Sequence, residues 1–154
     1  SCRRAAAELG LDALRNLDET GLATALDRLS GPIDRRRVRH VVTENARVLA
    51  VADRLETSDL RAIGPLLTSS HESLRDDYEV SCPELDTAVD SAVTAGALGA
   101  RLTGAGFGGS AIALVDESRA EAVATAVRAG FAAAGFGSPW IYPVVASAGA
   151  AVEP

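Results

Sequence analysis

Four glycines fall within six positions, 104–109, of the stretch RLTGAGFGGSAIALV (101–115), and short apolar runs flank them on both sides. Each glycine gives up extra backbone entropy when it is ordered. The usual hairpin connection is two residues long, so this density exceeds what a turn requires. It fits a place where a ligand or another surface must come close to the main chain, with a plain hairpin as the alternative. Gly104-x-Gly106-x-x-Gly109 has the letters of the dinucleotide fingerprint. That fingerprint needs a strand before it, a helix after it and an acid about 20 residues on. Here a strand follows, and the chain carries Ala129 and Gly130 where the acid should be, so the dinucleotide reading fails. A phosphate-binding lysine of the Walker type is excluded as well, because all 15 basic residues are arginine.

The hydrophobic period on the two sides of position 97 sets the fold class. Residues 1–9 read as a helix stopped by Gly10, and 11–31 as a loop with a short helix. Pro32 is suited to a first helical turn and opens a long helix. Its expected apolar face is Val38, Val41, Val42, Leu49, Ala52 and Leu55. A further helix follows Ser58-Asp59, with Leu60, Ile63, Leu67 and Leu74 on one face and a kink or one-turn lead-in expected near Gly64, because Pro65 clashes with the preceding turn. Ser81 and Glu84 form a candidate capping box, and Val80 and Leu85 a hydrophobic staple, for a helix running to about Ala95. Gly96 can then close it in the left-handed conformation.

Beyond that point the period becomes two. Leu98, Ala100 and Leu102 alternate with Gly99, Arg101 and Thr103 as a half-buried strand, and 110–115 reads as a buried strand. Ser118 and Glu121 can box the start of a helix that uses Val123, Val127 and Phe131 and stops at Gly135. Trp140–Val145 reads as a last strand, at an edge because Pro143 cannot donate to a ladder. The tail from Ala146 is expected to fray. Helices followed by β–β–α–β predict one α+β domain with a mainly antiparallel sheet. Its expected parts are lead-in helices (1–31), a helical part (32–96), a β–β–α–β part (97–146) and a tail (147–154).

Charge and composition narrow the function classes. A net charge of −6 gives no basic face for nucleic acid. No run of about 18 apolar residues predicts a membrane span, and the first residues lack a signal-peptide core. Cys2 and Cys82 make no metal spacing and are expected as free thiols in a reducing, cytoplasmic setting. The absence of methionine suggests a piece of a longer or processed protein.

The glycine stretch resembles the third motif of the GHMP small-molecule kinases in its galactokinase form, (K/R)MTGGGFGGC followed by an apolar strand. Arg101, Thr103, Gly104, Gly106, Phe107, Gly108 and Gly109 agree, whereas Leu102, Ala105 and Ser110 replace Met, Gly and Cys. RRRVRHVVTENARVL (35–49), SSHESLRDDYEVSCPELD (69–86) and the ending Ser147–Ala150 resemble other galactokinase segments in the same order. The resemblance implies a ferredoxin-like antiparallel sheet of four strands with helices on one face, the fourth strand coming from 76–81 or elsewhere. It also implies transfer of the ATP γ-phosphoryl group, with Mg²⁺, to the C1 hydroxyl of galactose in an intact enzyme.

The family's sugar signature and phosphate loop do not occur in this sequence. The chain is therefore expected to match a C-terminal domain that lacks its N-terminal ATP- and sugar-binding partner. No catalytic residue and no metal ligand carries over, and no ligand is expected on the fragment alone. The loop Gly104, Ala105, Gly106, Phe107, Gly108 and Gly109 carries over as the lining of the cleft near the phosphates. The surface left by the absent half implies an apolar patch through which two copies could pair. Two alternatives are a non-catalytic sensing or partner-binding module of this fold and another GHMP sugar kinase. Arg35, Arg36, Arg37 and Arg39 read as a solvated face, and Asp76, Asp77 and Glu79 as a solvated helix end. His40 and His71 have no Ser or Cys partner at motif spacing, and His71, Tyr78 and Trp140 read as packing residues.

Overall fold

The computed structural model describes residues 1–145 and Gly149. The tail expected to fray and the resemblance at Ser147–Ala150 lie outside the described residues, Gly149 excepted. The chain begins with a helical layer. Helix α1 (Cys2–Leu9) stops where Gly10 turns left-handed at φ 72°. A 3₁₀ turn at Leu14–Asn16 leads to α2 (Glu19–Arg28), whose first turn is capped by Asp18 accepting from the Gly21 amide. Helix α3 (Pro32–Glu56) starts on Pro32. Ala5, Ala6, Leu9, Leu14, Ala25, Leu29, Val38 and Val42 close on one another as the first core, and each large side chain in it contributes about 1.5–3 kcal/mol by leaving water. Arg4 clamps the buried Asp34 with two hydrogen bonds of 2.8 and 2.7 Å, tying α1 to α3. That hydrogen bond holds the Asp34 carboxyl below the usual carboxylate range.

The expected apolar face of α3 is correct only for its first half. Val38 and Val42 are buried, but Leu49 and Leu55 face solvent, as does Val48. Helices α1 and α2 pack on the start of α3, and the helix outruns their cover.

Helix α4 (Leu60–Ser73) is capped by Asp59 and runs on past Pro65, which lies inside it rather than after a separate one-turn lead-in. Its packing partner is the backbone of the first strand. A Cβ on Gly64 would stand 2.0 Å from the Leu98 carbonyl oxygen, and one on Gly99 1.8 Å from the Gly64 oxygen. Two glycines at one crossing let a helix lie directly on a strand. Helix α4 then widens into a π-helical turn, Leu74–Tyr78, and Glu79 turns left-handed at φ 59°. Residues 76–81 are therefore not the further strand that had been expected.

Helix α5 (Pro83–Thr94) has Cys82 at its N-cap and no side-chain cap. The Ser81–Glu84 capping box does not form, because the Ser81 hydroxyl donates to Asp86 instead. Val80 and Leu85 do share an apolar cluster, with Leu74 and Leu102. Strand β1 (Gly99–Thr103) pairs antiparallel with β2 (Ser110–Leu114), Gly99 opposite Leu114 and Thr103 opposite Ser110. Helix α6 (Ala120–Ala134) follows a 3₁₀ turn at Glu117–Arg119 and ends on left-handed Gly135. Its start also lacks the Ser118–Glu121 box, since the chain enters through that turn with Arg119 at the cap. Val89, Ala92, Ala97, Ala100, Val123, Val127 and Phe131 form the second core, between α5, β1 and α6.

The class is α+β, with mixed helices and a two-stranded antiparallel sheet among the described residues rather than four strands. Two further expectations are corrected. Strand β2 is exposed over Ser110–Ala113 rather than buried, because no helix or strand covers its outer side among the described residues. Trp140–Val145 forms no strand. It has no ladder partner, Pro143 lacks an N–H, and Trp140 is 95% exposed instead of packed.

Candidate functional site

The glycine stretch is the connection between β1 and β2. Gly104, Gly106, Phe107, Gly108 and Gly109 all take positive φ, from 60° to 112°. L-residues avoid that region, which is why glycine recurs here. Phe107 is the exception: it holds φ 60° with its ring 75% exposed.

The loop has an inner and an outer side. On the inner side the Phe107 amide donates to the Val80 carbonyl at 2.6 Å. A Cβ on Gly106 would stand 2.3 Å from that same oxygen, so the close approach at Gly106 is to this chain's own backbone. On the outer side, a Cβ on Gly104, Gly108 or Gly109 would meet nothing within 4 Å. The amides of Gly104, Ala105, Gly106, Gly108 and Gly109 have no protein acceptor among the described residues. Two surface hollows among the described residues, of about 370 and 270 Å³, are lined without any loop residue.

The elements behind the loop are held by charge and by two buried histidines. Arg37 donates to the Asp77 carbonyl and to Glu79, Arg36 to Glu79 and Arg39 to Asp77. The arginines read as a solvated face thus pin the turn that delivers Val80. Asp76 is engaged by Arg75. The Arg37 hydrogen bond holds Glu79 below the usual carboxylate range, and the Arg75 hydrogen bond does the same for Asp76. The acidic run is occupied by arginine, and among the described residues no group of three or more acids, histidines or cysteines stands where it could hold a metal. Arg101, just before the loop, bonds Glu44 at 3.0 Å and the Leu102 carbonyl at 2.9 Å. Burial pushes Glu44 up, but hydrogen bonds from Ser70 and Arg47 outweigh it and leave the carboxyl below its ordinary value.

His40 stacks on Tyr78 with ring centroids 4.5 Å apart and meets Ser73 Oγ at 3.0 Å through Nδ1. His71 is 1% exposed. Its Nδ1 accepts the Leu102 amide at 3.2 Å, and its Nε2 lies 3.1 Å from Asp86 Oδ1. Both are buried, His71 as expected, and burial pushes both below the ordinary histidine value. Sequence reasoning singled out the loop, but gave Val80 only a staple role, gave His71 only a packing role and passed over Asp86. Their signal was the segment 69–86, whose resemblance to the family is more specific than that of the glycines.

The family model described as "GHMP kinases C terminal" matches residues 51–133, which span the second half of α3 through α6 and include the loop. The chain belongs to the GHMP kinase family. It corresponds to the C-terminal domain of that family. It is 54% identical over 150 residues to the galactokinase of Streptomyces coelicolor, covering 97% of this chain and 39% of that protein. It is 52% identical over 151 residues to the galactokinase of Mycobacterium bovis, covering 98% of this chain and 41% of that protein. The crystal structure of Lactococcus lactis galactokinase complexed with galactose superposes with a TM-score of 0.83 at 37% identity, over 88% of this chain and 36% of that one. The chain thus spans about two fifths of the length of the curated relatives it matches. No helix among the described residues is long and apolar enough to cross a membrane.

Proposed function

We propose that this chain is the C-terminal domain of a galactokinase and that its glycine loop forms one wall of the nucleotide cleft. Joined to an N-terminal half, it serves transfer of the ATP γ-phosphoryl group to the C1 hydroxyl of galactose. The observation that carries this reading is identity above 50% to galactokinases over almost the whole chain. The loop supports it physically. Successive main-chain amides can hold an anion without a lysine, and five of the six loop amides have no acceptor among the described residues. Phosphoryl transfer depends mostly on positioning and charge stabilisation, so a wall of amides contributes without moving a proton.

The residues present do not fit a magnesium cage, since arginines occupy Asp76, Asp77 and Glu79. We assign neither metal ligation nor the proton-accepting group to this domain. The exposed Phe107, Ile112, Trp140 and Tyr142 suit burial against the N-terminal half, and the same surface would let isolated copies pair. The soluble enzyme would act in the cytoplasm.

The test is galactose-dependent ATP turnover. The 154-residue chain alone is expected to show none, and the chain combined with an N-terminal half carrying the sugar signature and phosphate loop is expected to show it. Turnover by the chain alone would overturn the reading. Turnover of a different sugar by the combined protein would replace the substrate.

A further inference from the structure

The loop is held at one point directly and at a second through the end of β1. Val80 accepts the Phe107 amide in the middle of the loop. Next to it, the Ser81 hydroxyl donates to Asp86 Oδ1, and the same carboxylate oxygen lies 3.1 Å from His71 Nε2. His71 Nδ1 then takes the Leu102 amide at 3.2 Å. Leu102 is the last buried residue of β1, two positions before Gly104.

The Leu102 amide points away from β2, to the side where a further strand would normally accept it. A histidine on α4 takes that strand's place. Since Nδ1 accepts from an amide, the ring proton sits on Nε2, 3.1 Å from Asp86 Oδ1 but without the alignment of a hydrogen bond. The ring is buried, so water cannot stand in for either contact.

We propose that His71 is a positioning residue for the glycine loop, its Nδ1 fixing the end of β1 from which the open amides of Gly104, Gly108 and Gly109 meet nucleotide phosphate. This deepens the reading of the loop as a cleft wall and rests on it. His71 touches neither loop nor ligand and acts through Leu102. Glu79 and the arginines of α3 act in the same sense on the other contact, the one through Val80.

Two isosteres separate this role from simple packing. Asparagine places an acceptor near the Nδ1 position, whereas glutamine reaches the Nε2 position and leaves the Leu102 amide unpartnered. In the enzyme formed by this chain joined to its N-terminal half, His71→Gln is expected to raise KM for ATP about tenfold over His71→Asn, the effect of one lost buried hydrogen bond. KM for galactose should change less than about twofold in both variants, and His71→Asn should stay close to the parent. Equal effects of the two variants, or a loss shared by both substrates, would overturn the proposal. A second readout needs no activity. Nitrogen-15 spectra of the 154-residue chain should show His71 with unprotonated Nδ1. The amides of Gly104, Phe107, Gly108 and Gly109 should shift in His71→Gln and not in His71→Asn. A protonated Nδ1 in the parent chain would sink the idea even if a variant failed to fold. A joined enzyme without galactose-dependent turnover would remove the functional reading, and these spectra would still decide whether His71 sets the loop.

Discussion

His71 and His40 show how a residue's partners decide what it does. Both carry imidazoles that solvent barely reaches, and burial disfavours their charged forms. Around His71 stand Asp86 and Asp90 from α5, which favour the proton, and Arg75 from the turn, which opposes it. Around His40, Glu44 and Asp77 favour the proton and Arg47 and Arg101 oppose it. In each case burial leads. A histidine held neutral in the fold binds fewer protons than in the unfolded chain, so unfolding takes up protons once pH falls below about 6.5. Stability is therefore expected to be full above that pH and to decline as pH drops through the range just below it. The carboxylates held low by arginine are lost only in stronger acid, below their ordinary range. Thermal unfolding followed from pH 7.5 to 5 should show the decline, and His71→Asn should flatten it. A melting temperature that is constant across that range would contradict the assignment of neutral, buried rings.

At the scale of elements, the crossing of α4 over β1 is the least forgiving contact. Gly64 and Gly99 meet backbone to backbone, and the intruding atom would strike main chain rather than a flexible side chain. Gly64→Ala is expected to cost at least about 1–3 kcal/mol by overpacking, read as a lower melting temperature or denaturant midpoint. An unchanged midpoint would show that the crossing is looser than described. The same scale shows what the sequence could reveal. Helix ends were legible wherever a local residue imposes them: Gly10, Pro32, Asp59 and Gly135 act within one turn of themselves. The hairpin was legible because alternation and glycine density are local too. The π-turn at Leu74–Tyr78 was not, because the arginines that hold it lie about forty residues earlier. Ser81 looked like a cap, and a carboxylate five residues on took its hydroxyl. Trp140–Val145 has the aromatic and β-branched content of a strand, but a strand requires a partner, which local pattern cannot supply. Of the candidate site, the loop was legible and its supports were not, since Val80 and His71 act through main-chain groups that carry no sequence signature.

The whole molecule has the character of one part of a larger body. Two apolar cores give it internal order, yet it leaves β2 uncovered, the Phe107 ring in solvent and the second half of α3 studded with exposed Val48, Leu49 and Leu55. Such surfaces are costly in a self-sufficient protein and ordinary at a domain interface. The central claim is that the open amides of the glycine loop meet nucleotide only when the N-terminal half is present. The most direct measurement is the amide spectrum of Gly104–Gly109 with and without a non-hydrolysable ATP analogue, in the chain alone and in the joined protein. The account predicts no change in the chain alone and shifts concentrated at Gly104, Gly108 and Gly109 in the joined protein. Nucleotide binding by the chain alone at residues remote from the loop, or a joined protein that binds nucleotide while those amides stay still, would contradict it.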